Sequence, residues 1–366
     1  MGAVPSSPPA RSRWLVALER AWWTPAPTPW SRCLQPLASL YGLLSRRRRE
    51  ADERLAAGRT PPCPILVVGN VVVGGAGKTP TTVALVHALR QRGWTPGVVS
   101  RGHGRANRAL HLLGPTSTAR EAGDEPLLIH RRTGAPLAVH ADRWTALQAL
   151  CKAHQEVDVI LADDALQHRR LPRDVELLVF DARGAGNGQL LPAGPLREPV
   201  PASLGPRQAV LFNAPAPSVP LPGEFARRAL TGAVPLASWW QGASADPAAL
   251  EALARRSQQQ ALWAAAGLAE PERFFSMLES CGVRLQRLPL PDHHDWAQVP
   301  WPSQATEVLV TEKDAVKLPA LPPGGPQVWV VPLDFELPDA LLQQLHGWLV
   351  QARELRQPAD PSASCN

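Results

Sequence analysis

From residue 62 onward, short apolar runs alternate with longer amphipathic stretches. Apolar runs of about four to eight residues are typical of buried strands, and longer stretches with helical spacing are typical of helices. The pattern predicts strands at 64–68, 98–99, 135–140, 157–162, 175–180 and 209–212, and helices at 79–91 and 144–154. Strands separated by helices are typical of a doubly wound parallel sheet, in which ligands bind where the strands end. We therefore predict an α/β fold.

A second, smaller α/β domain is predicted beyond a Pro-rich stretch at residues 214–223. Its expected strands are 261–265, 307–310 and 328–331, and its expected helices are 271–280 and 338–351. The predicted limits are an N-terminal segment over 1–50, a first domain over 51–215, a linker over 216–223, a second domain over 224–355 and a loose tail over 356–366.

The N-terminal segment is rich in Trp and Leu between residues 14 and 45, and the run Arg46–Arg49 follows directly. Trp favours the headgroup zone of a bilayer, and clustered Arg favours anionic lipid. A pair of helices packed on the protein, with a solvated basic run, explains the same pattern. No apolar run reaches the roughly 18 residues needed to span a bilayer. Glu19 and several prolines interrupt the apolar stretch, which disfavours a signal peptide.

Composition narrows the candidate chemistry. Only four of the 38 basic residues are lysines, so lysine is expected mainly where arginine cannot replace it. This favours functional roles for Lys78 and Lys313. The chain has five cysteines, an odd number without a C-x-x-C pair. A disulfide framework or a zinc site is therefore disfavoured, and a reducing cytosol is the simpler interpretation.

The stretch GNVVVGGAGKTP, residues 69–80, resembles a phosphate-binding loop, although Val72 stands where the usual first glycine is expected. The loop follows a predicted strand and precedes a predicted helix, which is the context that such a loop requires. The alternative is an ordinary strand–turn–helix. We predict that ATP phosphates contact residues 74–79, with Lys78 supplying charge and Thr79 a hydroxyl for Mg²⁺. The predicted residues are Gly74, Gly75, Ala76, Gly77, Lys78 and Thr79.

Acidic residues end a later strand. Asp163 and Asp164 follow the apolar run 157–162, and an acid at this place can hold a nucleotide-bound metal ion. Acids also commonly cap loops, which is the structural alternative. A second titratable cluster, Pro291–Asp295, contains His293 and His294 and is open to interpretation as a metal site.

A series of motifs in this order resembles the lipid A 4'-kinase family, the tetraacyldisaccharide 4'-kinases. The motifs are GGAGKTP at 74–80, SRGHG at 100–104, GDEP at 123–126, DDALQHRR at 163–170, LPAGPLREP at 191–199, DHH at 292–294 and TEKDAVK at 311–317. The resemblance implies a P-loop fold and ATP-dependent phosphorylation of the 4'-hydroxyl of tetraacyldisaccharide 1-phosphate, giving lipid IVA. The family also lacks the first glycine of the loop, so Val72 is a shared trait.

The resemblance also implies roles for particular residues. Asp124 is the implied general base for the sugar hydroxyl, tuned by His293, and Asp163 and Asp164 are implied Mg²⁺ ligands. Further candidates for binding substrate or phosphate are Arg101, Gln167, His168, Arg197 and Lys313. The sequence departs from the family's pattern at two places, His103 and Ala165-Leu166. Both departures concern only the fine geometry of substrate binding. Lys313 is one position too late for a guanine-binding N-K-x-D motif, which favours ATP over GTP.

The implied substrate carries several acyl chains that hold it in a bilayer. The resemblance therefore implies an enzyme at the cytoplasmic face of the inner membrane, anchored to anionic lipid by residues 1–50. No nucleic-acid partner and no obligate protein partner are expected. The competing hypotheses are a soluble P-loop ATPase or kinase acting on a small metabolite, and a nucleotide-gated metallochaperone using His293 and His294.

Overall fold

A computed structural model describes residues 13–292, 294, 296, 298–318 and 324–356, with side chains from residue 18 onward. Strands and helices are numbered in chain order. The strands are β1 (Ile65–Gly69), β2 (Pro96–Ser100), β3 (His111–Leu112), β4 (Leu137–Val139), β5 (Val159–Asp163), β6 (Val175–Asp181), β7 (Gln208–Asn213), β8 (Glu224–Phe225), β9 (Arg227–Leu230), β10 (Val234–Pro235), β11 (Leu262–Ala266), β12 (Leu285–Pro289), β13 (Glu307–Thr311), β14 (Gln327–Val331) and β15 (Leu333–Glu336).

Helices connect most of these strands. They are α1 (Arg13–Trp22), α2 (Pro29–Cys33), α3 (Gln35–Ala57), α4 (Lys78–Gln91), α5 (Ala119–Ala122), α6 (Asp124–Thr133), α7 (Arg143–Ala153), α8 (Leu236–Trp240), α9 (Pro247–Ser257), α10 (Pro271–Ser280), α11 (Glu312–Ala315) and α12 (Asp339–Glu354). None of the helices among the described residues is long and apolar enough to cross a bilayer.

The larger sheet has eight strands in the order β3-β4-β2-β5-β1-β6-β7-β8. All its neighbours are parallel except β3, which pairs antiparallel with β4. Alternate residues of β1 enter separate cores: Leu66 and Val68 pack with α4 and α6, while Ile65 and Val67 pack with α7. Helices on both faces bury the sheet, which explains its nearly continuous apolar strands. The predicted doubly wound α/β fold is confirmed.

A second sheet has five strands in the order β10-β14-β13-β11-β12, and β9 and β15 form a separate antiparallel pair. The core beside α4 continues into this second sheet through residues such as Val308 and Val310. The predicted second α/β unit is therefore present. The opposite face of the sheet is covered by α9 and α10, whose buried residues include Leu253 and Phe275.

The segments near the predicted domain limits contact the unit that contains the larger sheet, as Arg49 of α3 does through Glu198. Helix α3 runs through residues 50 and 51, where the first limit is predicted. In the Pro-rich stretch, Val219 and Leu221 are buried, and β8 directly follows as the eighth strand of the sheet. Arg356, the first residue of the predicted tail, lies 2.8 Å from Asp174. The remaining tail, 357–366, lies outside the described residues, and the domain limits stay predictions.

Candidate active site

The phosphate-binding loop joins the central strand β1 to α4. Gly77 precedes α4 with φ 91°, a left-handed conformation that favours glycine. The helix begins at Lys78, so its first free N–H groups face the loop, as in an anion-binding site. Lys78 is buried, and its Nζ lies 3.3 Å from Asn70 Oδ1 and 3.6 Å from Asp164 Oδ1. The predicted strand–loop–helix arrangement is therefore present.

Val72 occupies a place that suits a valine. Its side chain is fully buried in the core beneath α7, and its backbone forms an antiparallel bridge with Leu196. The neighbouring Val73 donates a backbone hydrogen bond of 2.9 Å to Pro195. This part of the loop is therefore held against the 191–199 motif. A glycine here would remove apolar packing without being required for the backbone conformation.

Asp163 and Asp164 lie at the carboxyl end of β5, beside the phosphate-binding loop. Asp163 accepts a hydrogen bond of 2.9 Å from Thr82 and is buried. Burial, helped by the nearby carboxylates of Glu125 and Asp164, raises the pKa of Asp163 to about 7. An uncompensated carboxylate in this position is a natural cation ligand.

Asp164 differs electrostatically from its neighbour. Burial alone would raise the pKa of Asp164, but Lys78, Arg197 and Arg143 outweigh burial and hold it below the ordinary value. Its backbone has φ 45°, a left-handed conformation that aspartate tolerates better than most residues. Among the residues that the structure describes, Asp163 forms no ion pair, whereas Asp164 contacts two cationic side chains, Lys78 and Arg197.

The two aspartates and Thr79 fit a magnesium ion bound together with nucleotide phosphates. Mg²⁺ commonly takes one or two protein carboxylates and completes its shell with phosphate oxygens and water. Thr79 is the second residue of α4, and Thr79, Asp163 and Asp164 line one cavity. Among the described residues, no group of three or more His, Cys, Asp or Glu side chains is arranged to hold a metal ion on its own.

The 163–170 and 191–199 motifs contact each other beside this site. Arg197 Nη1 lies 3.3 Å from Asp164 Oδ1 and 3.2 Å from Gln167 Oε1. Gln167 donates hydrogen bonds of 2.8 Å to the Asn70 carbonyl and to buried Glu198. These contacts bring two candidate phosphate-binding residues to the edge of the phosphate-binding loop.

His168 lies on the same segment, close to Asp142. Its Nε2 is 3.2 Å from Asp142 Oδ1. Burial and the neighbouring Arg143 nevertheless lower the pKa of His168 to about 4. Arg101 is exposed at the end of β2 and lines the same cavity. At neutral pH, His168 is therefore a neutral hydrogen-bonding group, whereas Arg101 supplies an accessible positive charge.

Asp124 is the first residue of α6. Gly123 precedes it with φ 90°, and a Cβ on Gly123 would approach the His103 carbonyl oxygen to 2.7 Å. The SRGHG and GDEP motifs therefore pack backbone against backbone, which fixes where α6 begins. Lys317 lies 3.4 Å from Asp124 Oδ2. The predicted partner of Asp124, His293, lies outside the described residues.

The TEKDAVK motif, which contains the candidate residue Lys313, joins the second unit to α6. Glu312 pairs with Arg132 at 2.6 Å, and Lys313 pairs with Glu125 at 3.4 Å. Lys313 also contacts Asp292 at 3.2 Å. Burial alone would lower the pKa of Lys313, but Glu125 and Asp292 outweigh it and raise the pKa. Lys313 therefore remains charged in the cavity wall.

Sequence reasoning missed several residues at this site. Asn70 contacts Lys78, Asn213 donates to the Ala76 carbonyl at 3.0 Å, and Arg183 donates to the Gly75 carbonyl at 3.1 Å. Arg183 also pairs with Glu270 of the second unit at 2.8 Å. Asn213 ends β7, so the rule that identified Asp163 could have identified it. Asn70 directly follows β1 inside the GNVVVGGAGKTP stretch, so the same rule could have identified it, whereas Arg183 carries no comparable signal in the sequence.

One cavity of about 1200 Å³ connects the phosphate-binding loop and the two aspartates with five further predicted residues, Arg101, Gln167, His168, Arg197 and Lys313. The phosphate-binding loop and the two aspartates form one part of its wall, and Lys313 and α10 of the second unit form another. Tyr41, Arg48 and Arg49 of α3 also line it. Small-molecule pockets commonly measure about 300–1,000 Å³, so the space is generous for a nucleotide alone.

The sequence matches known proteins along most of its length. A family described as Tetraacyldisaccharide-1-P 4'-kinase matches residues 30–350. The chain is 51% identical to a tetraacyldisaccharide 4'-kinase of Methylibium petroleiphilum, over 92% of this chain and 94% of that protein. It is 50% identical to the protein of the same name from Leptothrix cholodnii, over 91% and 95% of the two chains.

A solved structure shares the fold. It is described as the "apo" form of LpxK from Aquifex aeolicus in complex with ATP. The TM-score is 0.68 at 22% identity, over 87% of this chain and 99% of that one. This likeness supports the fold, and the family match rests on the sequence relatives. The chain belongs to the tetraacyldisaccharide-1-P 4'-kinase family.

Proposed function

We propose that the chain transfers the γ-phosphoryl group of ATP to the 4'-hydroxyl of tetraacyldisaccharide 1-phosphate, giving lipid IVA. The observation that carries this proposal is the single cavity lined both by the phosphate-binding loop and by α3. A site for ATP therefore opens directly onto a helix with an exposed apolar face. Such an arrangement suits an enzyme whose second substrate is held in a bilayer.

The ATP phosphates would lie on the loop 74–79, where backbone N–H groups and Lys78 offset their negative charge. Thr79, Asp163 and Asp164 would hold Mg²⁺. When bound, this ion would neutralise charge on the phosphates. Arg197, held by Asp164 and Gln167, would contact a phosphate of ATP or the 1-phosphate of the lipid. Arg101, His168 and Lys313 would contact the disaccharide.

Asp124 would act as the general base. Its carboxylate takes the proton of the 4'-hydroxyl as that oxygen bonds to the γ-phosphorus. The bond from the γ-phosphorus to the β–γ bridging oxygen breaks, and ADP leaves with that oxygen. An aspartate at its ordinary pKa of about 3.9 is a weak base for an alcohol, so positioning carries much of the catalysis. His293 would tune this carboxylate.

The N-terminal segment would rest on the membrane surface. Leu37, Leu40 and Leu44 of α3 follow helical spacing, and each is about half exposed. Arg46 to Arg48 follow them and are largely exposed, which suits anionic lipid. Arg49 instead turns inward and pairs with buried Glu198. We therefore expect monotopic association with the cytoplasmic face of the inner membrane, where ATP is available.

Purified protein, Mg-ATP and tetraacyldisaccharide 1-phosphate in mixed micelles test the proposed activity. We expect a product with one additional phosphate at the 4' position, identified by mass and fragmentation. Lys78→Ala should nearly abolish the product. Asp124→Asn should lower kcat by about 100-fold or more with little change in the KM for ATP. ATP hydrolysis without transfer to the lipid, or transfer to another hydroxyl, would contradict the proposal.

A further inference from the structure

The TEKDAVK motif ends in a lysine that faces the first residue of α6. Asp314, in the middle of the motif, is fully buried and accepts hydrogen bonds from Gly267 at 3.1 Å and from Trp296 at 3.1 Å. Thr311 donates to the same carboxylate at 2.7 Å. These bonds immobilise the turn that carries Lys317.

Lys317 projects from this turn into a buried, charged environment. Its side chain is 8% exposed, and its Nζ lies 3.4 Å from Asp124 Oδ2 and 3.8 Å from Asp314 Oδ1. Among the described residues, Nζ makes no hydrogen bond of normal geometry. Two carboxylates therefore compensate the buried ammonium group, one on its own turn and one across the interface on α6. An isolated buried charge is costly. Removing Lys317 would take a positive charge away from the Asp124 carboxylate and so change the electrostatic potential there.

The backbone of Asp124 is fixed independently of Lys317. Gly123 packs on the backbone of Gly102 and His103, so the position of the Asp124 Cα is set by the SRGHG loop. The direction of the carboxylate is set separately, by the contacts of the side chain. Lys317 contacts one carboxylate oxygen, Oδ2, and so restricts the direction in which the carboxylate points.

Other charged groups lie on the elements that neighbour this pair. Glu125 lies beside Asp124 on α6 and pairs with Lys313, which also contacts Asp292. Arg132, in the last turn of α6, pairs with Glu312. Arg101 and His103 lie on the loop that packs on Gly123. Lys313 therefore pairs with Glu125 and Asp292, and Arg132 pairs with Glu312 and Asp334. The cation that pairs with Asp124 and Asp314 is Lys317.

We propose that Lys317 is the positioning residue that orients the Asp124 carboxylate for the 4'-hydroxyl. The inference rests on the proposed role of Asp124 as general base. It gives the last residue of the TEKDAVK motif an indirect role in the reaction, because Lys317 acts by orienting Asp124. It also makes the geometry of the base depend on the contact between α6 and the second α/β unit.

A double-mutant cycle tests the proposal. Lys317→Met should lower kcat by about tenfold or more while the KM for ATP stays within about twofold. In the Asp124→Asn background, Lys317→Met should cause little further loss, because the group that it orients is already gone. Lys152→Met, which removes an exposed lysine of α7, is the matched control and should keep wild-type kinetics. Thermal melting confirms that each variant is folded.

The pH dependence of kcat/KM supplies a readout that a purely structural role would not move. A cation near a carboxylate lowers its pKa by about 1–3 units. Lys317→Met should therefore move the acid limb of the profile to higher pH by about one unit or more, and Lys317→Arg should move it back toward the wild-type position.

The outcomes separate the two proposals. Additive losses in the cycle, or an acid limb that stays in place in Lys317→Met, would overturn the role of Lys317 while leaving Asp124 as the base. Wild-type kcat in Asp124→Asn would instead overturn the assignment of Asp124. If Lys317→Met fails to fold, the Lys317→Arg profile decides: a cationic side chain of different geometry should reduce kcat while leaving the acid limb near its wild-type position. Wild-type kcat in that variant would then contradict a positioning role.

Discussion

The side-chain amide of Asn213 donates a hydrogen bond of 3.0 Å to the carbonyl oxygen of Ala76. This bond ties the end of β7 to the phosphate-binding loop. It also brings Asn213 so close to Gly77 that a Cβ on this glycine would lie 2.3 Å from Asn213 Nδ2. Phe335 approaches the same point to 2.9 Å. The loop therefore has no room for a side chain at residue 77.

Gly77→Ala should weaken ATP binding. The added methyl group would meet Asn213 and Phe335, and φ 91° is strained for alanine. Gly114→Ala is the control, because a methyl group at that position, which does not line the cavity, would have no neighbouring atom within 4 Å. Isothermal titration with Mg-ATP should show at least about a tenfold weaker affinity for Gly77→Ala than for Gly114→Ala. Equal affinities would show that the crowding at Gly77 is relieved at no cost.

Asp163→Asn should stabilise the protein in metal-free buffer and abolish turnover. Burial disfavours the ionised carboxylate, whereas an amide can still accept the hydrogen bond from Thr82. At pH 8 the free energy of unfolding should rise by on the order of 2 kcal/mol. Adding Mg-ATP should raise the melting temperature of the wild type more than that of the variant.

Asp174→Asn is the control for that experiment. Asp174 accepts from the Ile65 amide at 2.7 Å and pairs with Arg356 at 2.8 Å, so its charge is already compensated. This variant should lose stability in the same buffer. A loss of stability in Asp163→Asn as well would mean that the Asp163 carboxylate is compensated in the folded protein without a cation.

His168 should contribute to acid sensitivity. Its pKa is about 4 in the folded protein and about 6.5 when unfolded, so the unfolded chain binds more protons between these values. Above about pH 6.5 His168 is neutral in both states, so it does not reduce the free energy of unfolding. As the pH falls toward 4, the unfolded chain takes up a proton that the folded protein does not, and the free energy of unfolding decreases. The loss amounts to about 3 kcal/mol at most. Urea unfolding at about pH 7.5 and about pH 4.5 should show a smaller loss for His168→Gln than for the wild type.

His154→Gln provides the comparison, because the His154 side chain is 37% exposed and its ion-pair partner is Glu156 on the surface. Its loss of stability between the two pH values should exceed that of His168→Gln. An equal loss in His168→Gln and the wild type would show that burial does not keep His168 neutral.

Leu40→Glu combined with Leu44→Glu should weaken binding to anionic vesicles. Both side chains are about half exposed on α3, and each charge would be costly at the interface. Leu55→Glu is the matched control, since Leu55 is equally exposed on the same helix but lies beyond the Arg run. Sedimentation with phosphatidylglycerol vesicles should show at least about a fivefold decrease in the vesicle-bound fraction for the double variant and no such decrease for Leu55→Glu. Point variants are preferable to deleting 1–50, because Tyr41 donates to the Arg197 carbonyl at 3.0 Å.

The predicted strands of the larger sheet agree with β1, β2, β4, β5, β6 and β7 within a few residues. These strands are buried on both faces, so their continuous apolar runs are a strong local signal. The sequence did not predict β3 and β8, which have two residues each. It also missed β12, whose residues are mostly exposed at the edge of the second sheet. Such edge strands exist because a neighbouring strand offers hydrogen bonds, which local pattern does not reveal.

The residues of the phosphate site likewise fall into those that local sequence predicts and those that only the folded structure brings together. Gly77, Lys78 and Asp163 were predictable because each stands at the end of a strand or the start of a helix, where chemistry concentrates in a parallel sheet. Asn213 obeys the same rule. Glu198, in contrast, holds Gln167, Arg169 and the distant Arg49 around one buried carboxylate. No spacing in the chain indicates that convergence.

By itself, the sequence determined the α/β class, the phosphate-binding loop and the family, because apolar periodicity and ordered motifs are local properties of the chain. Only the tertiary structure decided how the TEKDAVK motif meets α6, and why a valine suits position 72. Lys317 and Asp124 are far apart along the chain, and their 3.4 Å contact arises only when the second unit packs on α6. Electrostatic roles depend on distance and burial, and folding sets both.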